Sequence, residues 1–243
     1  MAQKQTTSWN DVADWYTSWV GKKGSHYHRQ LAIPTVIELL QLRNNEKVLD
    51  IGAGQGVLAP HILKANADYT GIDLSPKMIR TAKRFHPNVK FLVADAATLN
   101  AEARIKDKRF DAIVFMLSIQ DMKPLEQILK ASSSLLTKNG RLILFMIHPC
   151  FRIPRQSGWG FDKQRKLNYR RIDSYLSPQS IPMKNHKNGS TRSFHRPLEH
   201  YVKALSDAGL SIDILKEIAD TPLPKKANNT EIPLFLAIRA MKL

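Results

Sequence analysis

Short apolar runs alternate along this chain with stretches whose apolar positions recur every three or four residues. The runs are KVLDIG (47–52), DYTGID (68–73), VKFLVAD (89–95), FDAIVFML (110–117) and RLILFMI (141–147). Runs of that length bounded by turn residues predict parallel strands buried on both faces. Between them, SPKMIRTAKRF predicts a helix capped by Ser75 with Pro76 at its first position, and PLEQILKASSSLL carries an apolar stripe that ends before Asn139 and Gly140. The alternation predicts right-handed crossovers and an α/β, doubly wound, mostly parallel sheet. The rhythm then changes. RPLEHYVKALSDAGL (196–210) predicts a helix stopped by Gly209, and SIDILKEIA and IPLFLAIRAMK predict two strands joined by a Pro- and Asn-rich loop. With no helix between them, the sheet must carry an antiparallel C-terminal strand. No internal repeat interrupts this order.

Composition adds limits rather than detail. Apolar residues make up 43% and charged residues 24% of the 243 residues, which matches a folded globular protein and argues against wholesale disorder. The opening MAQKQTTSWN is too polar for a signal peptide and no apolar run reaches the length of a membrane span, so a cytoplasmic protein with no membrane partner is expected. Cys150 is the only cysteine, which removes intrachain disulfides and cysteine-based metal clusters. The formal net charge of +16 would attract nucleic acid, anionic membrane surfaces or acidic small molecules, although net charge alone establishes no partner.

The stretch VLDIGAGQG (48–56) places Gly52, Gly54 and Gly56 directly after the first strand. A glycine loop of this kind lets a cofactor lie against the backbone. Dinucleotide enzymes use G-x-G-x-x-G, whereas here Asp50 precedes a G-x-G-x-G pattern; no Gly-Lys-Ser/Thr follows, so it is not a phosphate loop either. Near a pyrophosphate Asp50 would repel; near an ammonium or sulfonium it would attract. Asp73 ends the second strand, where an acid can accept both ribose hydroxyls, and Asp95 ends the third, where its carboxylate or the backbone of Ala96 can read an adenine edge. Three acids at three successive strand ends suit a cationic nucleoside. Asp95 has the alternative of capping a turn, and Met78 that of plain core packing on an apolar stripe with Ile79 and Ala82.

On VLDIGAGQG, YTGIDLSPKMI, VADAATL, FDAIVFMLSIQDM, GRLILFMIHP and the closing IPLFLAIRA, the sequence resembles the class I S-adenosylmethionine-dependent methyltransferases of small-molecule type. The resemblance implies a seven-stranded Rossmann-like sheet and S-adenosylmethionine as cofactor. It further implies Gly52, Ala53 and Gly54 against the methionine part, Asp73 and Leu74 at the ribose, and Asp95 and Ala96 at the adenine, with Met78 on the adenine face and Met116 and Leu117 near the methionyl end. It implies one domain over 1–243, divided into an N-terminal helical cap (1–40), a cofactor-binding core (41–148), a basic lid insertion (149–195) and a C-terminal helix and hairpin (196–243).

The outer segments carry the expectations about substrate. Trp9, Trp15 and Trp19 crowd the cap, and the resemblance implies that Tyr16, Tyr27 and His28 there contact the methionine carboxylate or the substrate; the alternative for the tryptophans is simple docking. The 149–195 insertion holds ten Lys and Arg against two Asp, interleaved with aromatics such as Trp159, Phe161 and Tyr169. That composition suits RNA, an anionic or aromatic small molecule, or a solvated lid. His148, at the end of the fifth strand, and His195, before the last helix, are the candidates to orient the substrate or take its proton, and a satisfied polar residue is the alternative for each. Cys150 in HPCFRIP is an unpromising nucleophile, because RNA cytosine methyltransferases have a second Pro-Cys where this chain reads SIQDM. Asn-Pro-Pro-Tyr is absent after FDAIVFM, only Asp121 offers a carboxylate there, and no metal is expected. The expected function is in-line methyl transfer to an N, O or C nucleophile of a small molecule; an RNA methyltransferase using the basic insertion and a catalytically silent cofactor-binding protein are the alternatives.

Overall fold

In the computed structural model, residues 9–185, 189–219 and 232–243 are described. The Pro- and Asn-rich connection between the last two strands lies outside them, as do residues 1–8 of the cap and 186–188 of the basic insertion.

The chain opens with α1 (Ala13–Val20), followed by a π turn (His28–Ala32) that runs into α2 (Ile33–Leu40). The core then alternates as β1 (Lys47–Ile51), α3 (Ala59–Lys64), β2 (Asp68–Asp73), α4 (Pro76–Phe85), β3 (Lys90–Val93), β4 (Phe110–Met116), α5 (Leu125–Leu135) and β5 (Leu136–Ile147). Short 3₁₀ turns, Ala96–Ala101 and Ile119–Asp121, follow β3 and β4. Ser75 caps α4 as expected, its Oγ accepting the Met78 amide at 3.2 Å. β5 begins five residues earlier than its apolar run, because Leu136 pairs with Phe110 before the bend at Asn139.

The insertion folds as two antiparallel hairpins, β6 (Ser157–Asp162) with β7 (Leu167–Ile172) and β8 (Gln179–Asn185) with β9 (Gly189–His195). Its mixed basic and aromatic composition shows no clean alternation, so these strands are invisible to a periodicity reading. The chain ends with α6 (Leu198–Asp207), β10 (Leu210–Ala219) and β11 (Pro233–Lys242).

Seven strands form one sheet in the order β10-β11-β5-β4-β1-β2-β3. β1 through β5 pair in parallel, and β11 runs antiparallel to both β5 and β10. Alternation along each strand splits the core into two layers. Val48, Ala112, Val114 and Phe145 face α2, α3 and α4, whereas Leu49, Ile113, Phe115 and Leu144 face α5 and α6. The strand order reverses between β1 and β4, and the crevice at the carboxyl ends of such neighbours is where open α/β sheets bind ligands. Among the described residues no helix is long and apolar enough to cross a membrane.

Candidate active site

A cleft of about 810 Å³ occupies that crevice. Its floor is the loop after β1, where Gly52 at φ +75° and Gly54 at φ +55° adopt a backbone that side chains resist. Behind Gly52 there is no room: an added Cβ would stand 2.5 Å from Ser118 Cβ and 2.6 Å from Met122 Cε. The Ser118 hydroxyl donates to the Ile51 carbonyl at 2.7 Å, which fastens the segment after β4 to the glycine loop.

The acids stand where the strands end. The Asp73 carboxylate accepts the Gly54 amide at 3.0 Å and the Ser75 amide at 2.8 Å. Burial raises its pKa and these two amides oppose the rise. Asp50, 2% exposed, accepts the Tyr69 hydroxyl at 2.7 Å. Burial pushes its carboxyl up to about 7, against the pull of the Tyr69 hydroxyl and with repulsion from Asp73 added. Asp95 is exposed and its Oδ1 accepts the Ala97 amide at 2.9 Å, so it does cap a turn, yet it still lines the cleft. As the first residue of that turn, Ala96 has an amide with no partner inside it. Met78 is buried in the core and lines the cleft as well, so both readings of that residue describe its position.

On the β4 side, Met116 and Leu117 reach the cleft. Leu117 has φ +56°, a strained conformation for a γ-branched side chain, held by its own amide to the Phe145 carbonyl at 2.7 Å and by Gln120 Nε2 to its carbonyl at 2.7 Å. The chain thereby turns back and carries Asp121 into the lining. Burial raises the Asp121 carboxyl to about 7, opposed by the hydroxyl of Ser193 and the charge of Arg196.

The cap roofs the cleft. Trp9, Asn10, Tyr16, Val20 and His28 line it, and Trp9 and Tyr16 pack edge to face at 5.2 Å. Asn10 Oδ1 accepts the Lys77 amide at 3.2 Å and the Ser75 hydroxyl at 3.3 Å, and Gln55 Nε2 donates to the Gly21 carbonyl. These bonds latch the cap to α4 and to the glycine loop. His28 Nδ1 lies 2.8 Å from the Ser25 hydroxyl, and burial, helped by Arg29, lowers its pKa to about 4, so it is neutral at pH 7. Burial, then Asp121 and Asp73, push the Tyr16 phenol upward, which keeps its proton in place.

Three of the expected residues stand outside the lining. Tyr27 packs its ring on Phe235 at 5.4 Å, on the side where the Arg152 guanidinium also sits. His148, 2% exposed, accepts the Cys150 amide on Nδ1 at 3.2 Å, which leaves its Nε2 proton to donate to Glu217 Oε1 at 2.8 Å. His195 Nε2 donates to the Tyr175 carbonyl at 2.6 Å. Burial lowers the pKa of both histidines. Among the described residues, none of the basic insertion lines the cleft either; β6 pairs with β7 and β8 with β9. Conversely, Asn10, Gln55 and Asp121 line the cleft without having been singled out as site residues. Gln55 lies inside the glycine motif, and its Oε1 is buried with no partner among the described residues. Among the described residues no cluster of three or more His, Cys, Asp or Glu could hold a metal.

A family model for a methyltransferase domain matches residues 48–140, the segment that forms the glycine loop and the acidic strand ends. Over 100 residues the chain is 36% identical to the ubiquinone biosynthesis O-methyltransferase of Pelagibacter ubique, with 41% of each chain covered. Over 117 residues it is 32% identical to the demethylmenaquinone methyltransferase of Thermotoga maritima, covering 47% of this chain and 49% of that one. The chain thus spans less than half the length of these curated relatives. The crystal structure of an S-adenosylmethionine dependent methyltransferase from Mesorhizobium loti superposes with a TM-score of 0.71 at 21% identity, covering 91% of this chain and 100% of that one, which is a likeness of fold. Strand order, the acid-lined crevice beside the glycine loop and the matched segment agree: residues 48–140 match a methyltransferase domain, and the chain shares its fold with S-adenosylmethionine dependent methyltransferases.

Proposed function

We propose that this protein transfers a methyl group from S-adenosylmethionine to a nucleophilic atom of a small organic molecule. The observation that carries the reading is an acidic, roofed cleft in a strongly basic protein. Asp11, Asp50, Asp73, Asp95 and Asp121 line, with Lys123, one cavity of a chain whose net charge is +16, which favours a cationic ligand there over a polyanion.

The residues present fit that cofactor. Asp73 is oriented by two amides toward a ribose, Asp95 and the Ala96 amide offer an acceptor and a donor to an adenine edge, and the partnerless Gln55 Oε1 is an acceptor for an ammonium. Asp50 supplies negative charge beside the glycine loop, and Met78 closes the floor. When bound, the cofactor supplies a sulfonium methyl that is already activated, so the protein's work is to position the acceptor, exclude water and take up a proton. The latched cap provides the exclusion, and Met116, Leu117 and Tyr16 form the end of the cleft where the acceptor enters. His148 and His195 serve structure in this reading, tying the end of β5 to β10 and the end of β9 to Tyr175.

Two further observations support a small acceptor. The cleft volume of about 810 Å³ lies within the usual range for small-ligand sites, and no described residue of the basic insertion reaches its lining. The relatives' names, a ubiquinone biosynthesis O-methyltransferase and a demethylmenaquinone methyltransferase, point toward quinone-type acceptors. We further propose that cap, core, insertion and C-terminal hairpin act as one functional unit.

The test is to incubate the protein with methyl-labelled S-adenosylmethionine and either a small-molecule extract or total RNA. Label in the low-mass fraction is the expected result, and stoichiometric, nuclease-sensitive label in one defined RNA would overturn the reading. The latch gives an independent check. Asn10→Ala removes the acceptor for Lys77 and Ser75, and loss of that contact should speed S-adenosylhomocysteine dissociation about tenfold with the melting temperature nearly unchanged. Stopped-flow fluorescence of the nearby tryptophans reads this directly, and an unchanged rate would deny the cap its role as a gate.

A further inference from the structure

We propose that Asp121 is the catalytic proton acceptor of this enzyme, held in place by Ser193 of the insertion and Arg196 just beyond it, and that the methyl acceptor is a phenolic or enolic hydroxyl. The proposal rests on the methyl-transfer reading above and assigns to it a residue and a substrate class.

Position argues first. A nucleoside held at Asp95 and Asp73 extends from the β3 end across the β1 loop, so its methionyl end lies toward β4, where Asp121 lines the cleft. The turn that carries Asp121 is fixed from several sides. Its amide donates to the Ser118 carbonyl at 2.9 Å, Ser118 is tied to Ile51, and the strained Leu117 is pinned at both backbone groups. Such redundancy is what holding a strained turn beside a reacting group requires.

Elimination argues second. The carboxylates at the strand ends are engaged by the core itself, Asp50 by Tyr69, Asp73 by the Gly54 and Ser75 amides and Asp95 by the Ala97 amide, and Asp11, the remaining lining carboxylate, also has a partner. His28, buried and neutral, is too weak a base, and Tyr16 keeps its proton and serves as a donor. Asp121 faces Tyr16 from the cap, the Ser193 hydroxyl from β9, and Arg196 and Tyr201 at and within the last helical segment, and it shares the cleft lining with Asp11, Asp50, Asp73, Asp95 and Lys123. Arg196 is buried, donates to the Met122 carbonyl at 2.5 Å, and stacks on Phe194 and Tyr201 at 5.4 and 6.0 Å. Ser193 of the second hairpin and Arg196 just after it thus meet the turn that carries Asp121 and are positioning residues.

Chemistry argues third. A neutral amine can attack first and lose its proton to water later, whereas a neutral hydroxyl needs its proton taken as it attacks. In the step proposed, a lone pair of the acceptor oxygen forms the new O–CH₃ bond, the S–CH₃ bonding pair remains on sulfur, and the hydroxyl proton passes to the Asp121 carboxylate. A carboxyl raised to about 7 is half ionised at neutral pH, which suits that exchange.

The experiment is a carbon-13 NMR titration of aspartate-labelled protein in the S-adenosylhomocysteine complex, with Asp121→Asn identifying the resonance. Asp121 is expected to titrate near 7, and Ser193→Ala should move it up by roughly half a unit or more through loss of a hydrogen bond to the ionised form. A carboxyl already ionised below pH 5, or one indifferent to Ser193→Ala, would overturn the proposal. Turnover with a catechol and a naphthohydroquinone probe gives the second readout. Asp121→Asn should lower kcat about a hundredfold, leave the KM for S-adenosylmethionine within about threefold, and remove the acidic limb of the pH profile, with Asp121→Glu restoring part of it. Equal kcat and an unchanged limb would sink the idea, and methylation of an amine probe with neither hydroxyl probe accepted would sink the substrate class. Failure of S-adenosylhomocysteine to bind would instead strike the cofactor reading, since the titration can be read in the free protein.

Discussion

Replacing Asp73 with alanine is expected to weaken S-adenosylhomocysteine binding by about a hundredfold or more. The carboxylate has two tasks that fail together. It accepts the Gly54 and Ser75 amides at 3.0 and 2.8 Å, which fixes the glycine loop relative to the start of α4, and its remaining lone pairs face the cleft where a ribose would offer two hydroxyls. Each hydrogen bond to a buried charged group contributes on the order of 1.5–3 kcal/mol, so loss of two ribose contacts alone amounts to roughly 3 kcal/mol, or over a hundredfold in affinity. The two orphaned amides add to this by loosening the loop. Asp73→Asn keeps an acceptor for one amide and should lose less. Titration calorimetry separates these outcomes, and an alanine variant that binds within threefold of the parent would show that Asp73 does not hold the ligand.

A second expectation sets two glycines of one loop against each other. Gly52→Ala should lower stability by about 3 kcal/mol or more, because its Cβ would overlap Ser118 and Met122 at 2.5 and 2.6 Å and the residue would retain φ +75°. For a domain of this size that is a fall of roughly 6–12 °C in melting temperature. Gly54→Ala meets nothing nearer than Tyr16 Cε1 at 4.0 Å, so only the unfavourable φ opposes it, about 1 kcal/mol. The methyl group would project into the cleft, however, and should remove most of the affinity for S-adenosylhomocysteine. Calorimetric melting and ligand titration on both variants test the pair. Equal melting temperatures, or full binding by Gly54→Ala, would show that the loop is not packed against the β4 segment and the ligand as described.

Both expectations depend on residues that the chain announces locally. β1 to β5 are readable because strands buried on both faces carry no polar alternation, and α4 because Ser75 and Pro76 mark its start within three residues of one another. The reversed β11 follows from two apolar runs with no helical pattern between them, since a parallel return would need a crossover. Gly52, Gly54, Asp73 and Asp95 are readable because strand ends in such a sheet converge on one crevice, so position along the chain is already position at the site.

What depends on contacts between distant segments could not be read this way. The insertion's composition shows no clean alternation, and its strands exist only through the cross-strand partners that β6 to β9 find in one another. His148 lies 69 positions from Glu217, and Asn10 lies 67 from Lys77; no local pattern signals either pairing. Asp121 looks like an ordinary turn acid until the bend at Leu117 and the Ser193 hydroxyl bury it beside Tyr16. Sequence alone determined the sheet, its reversed strand and the acids that line the cleft, because periodicity and turn chemistry act over a few residues. The tertiary structure decided the roof, the partners of the histidines and the residues at the β4 end of the cleft, because desolvation and long-range hydrogen bonds exist only once the chain has closed on itself.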